Sequence, residues 1–173
     1  MANRNRFYII ITLCIVTLFA GHDAVAQKRK SKKSKSSRAS ETVITFKAGQ
    51  FKECGDSITV GKHSLKVSHL ENDSTMCYFG NNEDLLWLYP ATLYMKLNRD
   101  RAIKEIKVTV NDNCRPECTT ANLYNLDGEL LVTQSNKLTY EDEPLLFTLP
   151  EDFNTMTITS YEGMVKEIRI VYK

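Results

Sequence analysis

The sequence predicts an all-β domain of about ten strands, a sandwich or a barrel, over residues 42–173. Polar and apolar residues alternate in short runs, which is the pattern of strands with one buried face. Gly, Pro, Asn and Asp separate these runs at intervals of roughly ten residues. No window of a dozen residues carries an apolar stripe at helical spacing, which disfavours a parallel α/β sheet.

The predicted strands follow one another with turn residues between them. Two connections are typical of hairpins, Gly61-Lys62 and Asp127-Gly128, because each lies between two alternating runs. The runs themselves are Val43–Lys47, Ser57–Val60, Ser64–Val67, Leu85–Leu88, Thr92–Leu97, Ile103–Val110, Leu123–Leu126, Glu129–Val132, Leu145–Leu149, Thr155–Thr159 and Val165–Tyr172.

Two of these runs have similar sequences, Ile103–Val110 and Val165–Tyr172. In each, the last three alternating apolar residues share one face, whereas the leading residue, Ile103 or Val165, is out of phase with them. A β-bulge at the Lys-Glu step would return the leading side chain to the inner face, so we expect a bulge in both strands.

The first 26 residues have the organisation of a secretory signal peptide. Arg4 and Arg6 supply positive charge, an uncharged apolar run extends from Phe7 to Ala20, and Ala24-Val25-Ala26 offers small residues to a peptidase. The run is shorter than the roughly 20 residues of a transmembrane helix. We therefore expect an exported protein, in the periplasm, at the outer-membrane surface or outside the cell, that begins at Gln27.

A basic linker is predicted over residues 27–41. Residues 28–38 contain seven Lys and Arg and no acidic residue, so the segment is expected to be disordered. The remainder, residues 39–173, carries 14 Lys and Arg against 20 Asp and Glu, a formal net charge of −6. The linker is either a solvated spacer or a contact with an anionic membrane surface. Export argues against a nucleic-acid partner.

Four cysteines follow the predicted cleavage site, and an even number in an exported chain suggests disulfides. The pairing Cys114–Cys118 with Cys54–Cys77 is favoured over the two alternatives, because the first two cysteines lie in one tight loop. Free thiols remain an alternative. A zinc site made by Cys114 and Cys118 with a histidine is disfavoured in an oxidising compartment.

No catalytic constellation stands out in the sequence, so no catalytic residue is predicted. His63 and His69 are interpreted as exposed strand residues, and the acidic pairs at 83–84, 141–143 and 151–152 fall in predicted turns. Asn111-Asp112-Asn113 offers oxygen ligands that suit calcium, but a turn capped by its own side chains is the favoured interpretation. We expect no cofactor, with calcium as the open alternative.

Aromatic residues are the candidate ligand contacts. Trp87 lies in Leu85-Leu86-Trp87-Leu88, so core packing is its favoured role and ligand contact the alternative. Tyr140 and Tyr161 lie beside acidic loop residues. These two are expected to form a binding surface at one end of the domain.

Several segments together resemble a known family: the early Ile44-Thr45-Phe46, the strand Leu93–Leu97, and the two similar strands at Ile103–Val108 and Val165–Ile170. Their order resembles that of small secreted jelly-roll β-sandwich domains, galactose-binding-like in topology, from gut-type bacteria. The resemblance implies an antiparallel two-sheet sandwich and a bias towards binding a glycan or a protein. It transfers no site residue to this sequence.

The function expected from these features is a non-enzymatic binding module at the cell envelope that engages a glycan or a protein. The alternative is a structural envelope protein tethered electrostatically by its basic tail. A hydrolase whose active site is assembled from distant loops is the least favoured hypothesis.

Overall fold

The computed structural model describes residues 40–70, 73–82 and 84–173. The predicted signal peptide and residues 27–39 of the predicted linker lie outside the described residues. The first strand begins at Glu41, one residue before the predicted start of the domain. Among the described residues, no helix has the length and apolar character needed to cross a membrane.

The fold is an all-β sandwich of two antiparallel six-stranded sheets. The twelve strands are β1 (Glu41–Thr45), β2 (Ser57–Val60), β3 (His63–Ser68), β4 (Phe79–Asn82), β5 (Leu85–Leu88), β6 (Ala91–Lys96), β7 (Ile103–Asp112), β8 (Thr119–Tyr124), β9 (Leu130–Ser135), β10 (Asp142–Leu146), β11 (Thr155–Ser160) and β12 (Gly163–Tyr172). Sheet 1 has the order β10-β7-β12-β5-β4, with β1 also paired to β12, and sheet 2 has the order β2-β3-β6-β11-β8-β9.

The core lies between the sheets and is built from the apolar positions of the alternating runs. On β3, Leu65 and Val67 are buried while Ser64 and Lys66 are exposed, and β6 buries Leu93 and Met95 in the same way. From sheet 1, Ile168 and Ile170 of β12 are fully buried. The alternation of apolar and polar residues in the sequence therefore indicates which face of each strand packs against the opposite sheet.

The two similar strands, β7 and β12, pair with each other along their length. The pairing passes from Val165 to Glu167 on one strand, which leaves Lys166 as the extra residue, and skips Lys104 on the other. Ile103 and Val165 are both buried as a result. The bulge predicted at each Lys-Glu step is confirmed.

Two sequence-based expectations about this region were wrong. The sequence did not predict β4, because Gly80-Asn81-Asn82 has the composition of a turn although it pairs with β5 as an edge strand. Trp87 does not pack in the core. Leu86 and Leu88 point inward on β5, so strand alternation places the half-buried Trp87 on the outer face.

His63 is buried, at 1% exposure, which corrects the expectation of an exposed strand histidine, whereas His69 is exposed. The backbone N–H of Asn98 donates to Nδ1 of His63 over 3.2 Å, so the ring proton resides on Nε2. Nε2 lies 2.8 Å from the Tyr172 hydroxyl, which in turn lies 3.2 Å from Oγ1 of Thr42. The imidazole is therefore held in its neutral form, and burial lowers its pKa below 6.5.

This histidine should make stability depend on pH. In the unfolded chain His63 takes up a proton near pH 6.5, whereas in the folded protein it does so only at lower pH. The contribution of His63 to the free energy of unfolding is therefore fully present above about pH 6.5 and is lost as the pH falls below that value. Urea unfolding at pH 7.5 and pH 5 measures the loss. His63→Gln should flatten the pH dependence, and His69→Gln, at an exposed position, should leave it intact. An unchanged slope in His63→Gln would contradict the assignment.

Candidate functional site

The outer face of sheet 2 is a polar surface built mainly from hydroxyl-bearing side chains. Strand pairing arranges its outward residues in rows across five strands. The row that contains Thr92 and Thr159 consists only of serine and threonine, and the side chains of these two residues form a hydrogen bond with each other over 3.0 Å. The three rows are Ser68-Thr92-Thr159-Thr120-Ser135, Lys66-Tyr94-Thr157-Asn122-Thr133 and Ser64-Lys96-Thr155-Tyr124-Leu130.

An open pocket of about 250 Å³ lies on this face, between two tyrosines. Tyr94 on β6 and Tyr124 on β8 contribute its walls, and the β11 residues Thr155 and Thr157 lie between them. Neighbouring side chains on one face of a sheet are only about 5 Å apart at Cβ. The tyrosine rings and the threonine hydroxyls can therefore contact one small ligand at the same time.

Polar groups lie beneath the pocket without hydrogen-bond partners. Thr157 is 2% exposed even though it points away from the core, and its Oγ1 has no partner among the described residues. On the next strand, Oδ1 of Asn122 is likewise buried and unpaired, while Nδ2 donates to the Tyr124 hydroxyl over 3.3 Å. An unmet buried polar group costs about 1–3 kcal/mol, so a hydrogen bond to either of these two oxygens would be favourable.

One wall of the pocket is the turn between β8 and β9, which is held by its own hydrogen bonds. Oδ1 of Asn125 accepts the backbone N–H groups of Asp127 and Glu129 over 3.0 and 2.8 Å. Its Nδ2 donates to the Glu129 carboxylate over 2.8 Å. Gly128 adopts a positive φ of 82°, which glycine tolerates without strain. The wall is thus preorganised before any ligand arrives.

The aromatic residues expected from the sequence to bind a ligand do not line this pocket, because Trp87 lies on β5 of sheet 1 and Tyr140 and Tyr161 lie in loops. Trp87 is opposite Gly80 on β4 and Met164 on β12, with its side chain in van der Waals distance of the Gly80 position. Tyr140 and Tyr161 are exposed near the end of β7, where Asp112 and Asn113 bond to the segments that contain them. The three residues therefore share one end of sheet 1.

Sequence reasoning missed Tyr94, Tyr124, Thr155 and Thr157 as a group. A signal for each was present, because each alternates with buried residues such as Leu93, Leu123 and Met156 and must point outward. What the sequence lacked was the strand order β6-β11-β8, which places Thr157 opposite Tyr94 and Thr155 opposite Tyr124.

Two acidic residues of the predicted turn at 141–143, Asp142 and Glu143, have structural partners. Asp142 accepts a hydrogen bond from Asn111 over 2.8 Å and pairs with Lys166 over 2.6 Å, and the Asn111 bond and Lys166 together hold the pKa of that carboxyl below its usual range. Glu143 accepts the backbone N–H groups of Lys137 and Leu138. An ionised, paired carboxylate is poorly suited to act as a general acid.

The Asn111-Asp112-Asn113 segment does not fit a calcium site. Asp112 is buried, its Oδ1 accepts the backbone N–H of Cys114 over 2.9 Å, and its Oδ2 accepts the Thr119 hydroxyl over 2.5 Å. The predicted turn capped by its own side chain is confirmed. Asp112, Cys114 and Cys118 lie close together, but the two cysteines are joined in a disulfide and cannot act as thiolate ligands.

Both disulfides expected from the sequence spacing are present, Cys54–Cys77 and Cys114–Cys118. They are consistent with an exported protein in an oxidising compartment.

No family model matches the sequence, and no curated protein matches it. Among solved structures, the chain is similar to a family 29 carbohydrate-binding module in complex with mannohexaose, with a TM-score of 0.48 and 14% identity over 78% of this chain and 92% of the other. It is also similar to the BiXyn10A CBM1 module without ligand, with a TM-score of 0.43 and 12% identity over 73% of this chain and 99% of that module. A further family 29 module gives a TM-score of 0.42 and 14% identity over 78% and 88% of the two chains.

Proposed function

We propose that this protein is a non-enzymatic glycan-binding module that holds a sugar chain on the outer face of sheet 2. The observation that carries the proposal is the pocket between Tyr94 and Tyr124, floored by Thr155 and Thr157, within a face rich in hydroxyl groups. Pyranose rings present C–H groups on their faces and hydroxyls at their edges. Tyrosine rings suit the former, and threonine and asparagine side chains suit the latter.

The same face argues for binding without catalysis. The six strands of sheet 2 contain no Asp, Glu or Cys, and their single histidine, His63, is buried on the core side. Glycoside hydrolysis by the usual route needs two carboxyl groups placed on either side of the scissile bond. The strands of this face offer hydrogen bonds and stacking surfaces but no carboxyl group, and in the adjacent β8–β9 turn the Glu129 carboxylate is bonded to Asn125.

The proposal is tested by native affinity electrophoresis of the full chain in gels that contain single soluble polysaccharides, neutral and acidic. For any polysaccharide that retards the protein, Tyr124→Ala should weaken binding at least roughly fivefold, because truncating a central aromatic contact costs more than about 1 kcal/mol. Thr157→Val is a second variant that should preserve the fold, since it removes a hydroxyl that has no partner, and it should also weaken binding.

The matched control is Tyr140→Ala/Tyr161→Ala, which removes two exposed tyrosines from the end of sheet 1. Binding that is lost in this control and retained in Tyr124→Ala would move the ligand site to the aromatic residues that the sequence suggested, with Trp87 beside them. An absence of retardation with every polysaccharide would reject the glycan proposal. It would leave a protein ligand or the structural envelope role as the alternatives.

We also propose the cellular setting that the sequence suggests. Residues 1–26 would act as a cleaved signal peptide and the residues from 27 to the start of β1 as a basic linker, ahead of a jelly-roll domain of galactose-binding-like topology. The disulfides support export. N-terminal sequencing of the processed protein should begin at Gln27, and recovery of Met1 would reject the signal peptide.

A further inference from the structure

We infer that the glycan bound on sheet 2 is acidic, with a carboxylate or sulfate group held by Lys66 and Lys96. This inference rests on the proposed function and adds the charge class of the ligand. The reason lies in how charged residues are distributed over the domain.

Acidic residues are absent from sheet 2 although they predominate in the domain. Residues 39–173 carry an excess of Asp and Glu over Lys and Arg, yet none of the strands β2, β3, β6, β8, β9 and β11 contains either acid. The exposed charged residues of these strands are Lys66 on β3 and Lys96 on β6. The outer face of sheet 2 is therefore a cationic, hydroxyl-rich surface on an otherwise acidic domain, and it should attract anions.

Strand register places the two lysines beside the pocket. Lys66 is directly opposite Tyr94, and Lys96 is two residues beyond Tyr94 on the same strand and directly opposite Thr155. Diagonal neighbours of this kind have Cβ atoms about 7–8 Å apart, so two long side chains can meet at one anionic group. A sugar ring between the tyrosines would carry its charged substituent towards this pair.

The two lysines are without carboxylate partners. Within the described parts of the chain, neither the Lys66 nor the Lys96 side chain takes part in an ion pair or hydrogen bond, whereas the side chains of Lys62, Lys166 and Arg169 are all paired. Adjacent like charges repel, and a bound anion would offset that repulsion. On the opposite side of the pocket, the turn contains Asp127 and Glu129, so the anionic group should face β3 and β6.

The test compares polymers that differ only in charge. Affinity electrophoresis of the full chain would use polygalacturonate against its methyl ester, and dextran sulfate against dextran. We expect at least one acidic polymer to bind roughly tenfold more tightly than its neutral partner, and the preference to weaken in high salt. Lys66→Gln/Lys96→Gln should abolish the preference, whereas Lys104→Gln/Lys107→Gln, with the same charge change on sheet 1, should leave it intact.

The outcomes separate this inference from the function on which it rests. A preference seen only with polygalacturonate or only with dextran sulfate identifies a carboxylate or a sulfate as the charged group. Equal binding of charged and neutral polymers, with loss in Tyr124→Ala, overturns the inference and retains the glycan-binding function. If Lys66→Gln/Lys96→Gln still binds acidic polymers preferentially, the preference comes from other cationic residues, such as those in 28–38. That result also overturns the inference. No binding of any polymer rejects both.

Discussion

Replacing Gly163 with alanine is expected to lower the free energy of unfolding by about 3 kcal/mol, since it forces a methyl group into filled space. Gly163 is the first residue of β12 and is paired with Leu88 on one side and Asp112 on the other. A Cβ at this position would collide with the hydroxyl oxygens of Thr119 and Ser160. Its φ is not positive, so the cost arises from space and not from backbone conformation.

The collision matters because those hydroxyls belong to a buried polar network. Oγ1 of Thr119 lies 2.7 Å from Oγ of Ser160 and donates to the buried Asp112 carboxylate. Displacing Thr119 would leave that carboxylate short of a donor, and a buried charged group without its partner costs more than a neutral one. Steric overlap and the loss of this hydrogen bond therefore act in the same direction.

Gly80→Ala is the matched control for this substitution. Gly80 also lies in a strand of sheet 1, and a Cβ there would meet the Cβ of Trp87 at 3.5 Å, an ordinary van der Waals contact. We expect its effect on the free energy of unfolding to stay within about 1 kcal/mol. Urea denaturation of the oxidised proteins measures both variants. Similar small losses in the two would show that the Thr119–Ser160 network moves aside easily.

The sequence predicted the strands well because the local pattern and the global packing agree. The bulges at Lys104 and Lys166 could be predicted because the leading apolar residue of each run is out of alternation with the others, although all of them must face the core. Strand β4 is the exception. Phe79–Asn82 has no alternating pattern, and its pairing with β5 at the sheet edge sets its structure.

The candidate site was less accessible to sequence reasoning, for a topological reason. Alternation correctly implies that Tyr94 and Thr157 point outward, but their contact depends on β11 lying between β6 and β8. Trp87 shows the opposite error. Its apolar neighbours suggested a core role, while the strict alternation of Leu86 and Leu88 had already assigned it to the surface. Periodicity was the better guide than the hydrophobicity of the segment.

Removing the Cys54–Cys77 disulfide should also be strongly destabilising, and more so than removing Cys114–Cys118. The first joins residues 23 positions apart and the second residues 4 apart. A cross-link restricts the unfolded chain more when it closes a longer loop, which gives about 3 kcal/mol for the first bridge and about 2 kcal/mol for the second.

The folded structure gives a second reason for the difference between the bridges. The Cys114–Cys118 loop keeps other restraints when its bridge is removed, because Cys118 N–H donates to the Arg115 carbonyl and Glu117 N–H donates to the Asn136 carbonyl. Around Cys77, the bridge links the segment before edge strand β4 of sheet 1 to the turn at Cys54, and this turn is bonded to β3 of sheet 2 through the Gly55 N–H and the Val67 carbonyl. Loss of this link should loosen an edge that has no further strand beyond it.

Urea unfolding of Cys54→Ala/Cys77→Ala and Cys114→Ala/Cys118→Ala, compared with the oxidised parent, measures the two contributions. Each double variant is the other's control, since both remove two sulfurs and leave one native bridge. Equal losses, or a larger loss in Cys114→Ala/Cys118→Ala, would mean that local packing around Asp112 outweighs loop length. The larger loss in the free energy of unfolding is expected for Cys54→Ala/Cys77→Ala, because the longer loop has more conformational freedom to lose when the chain folds without its cross-link.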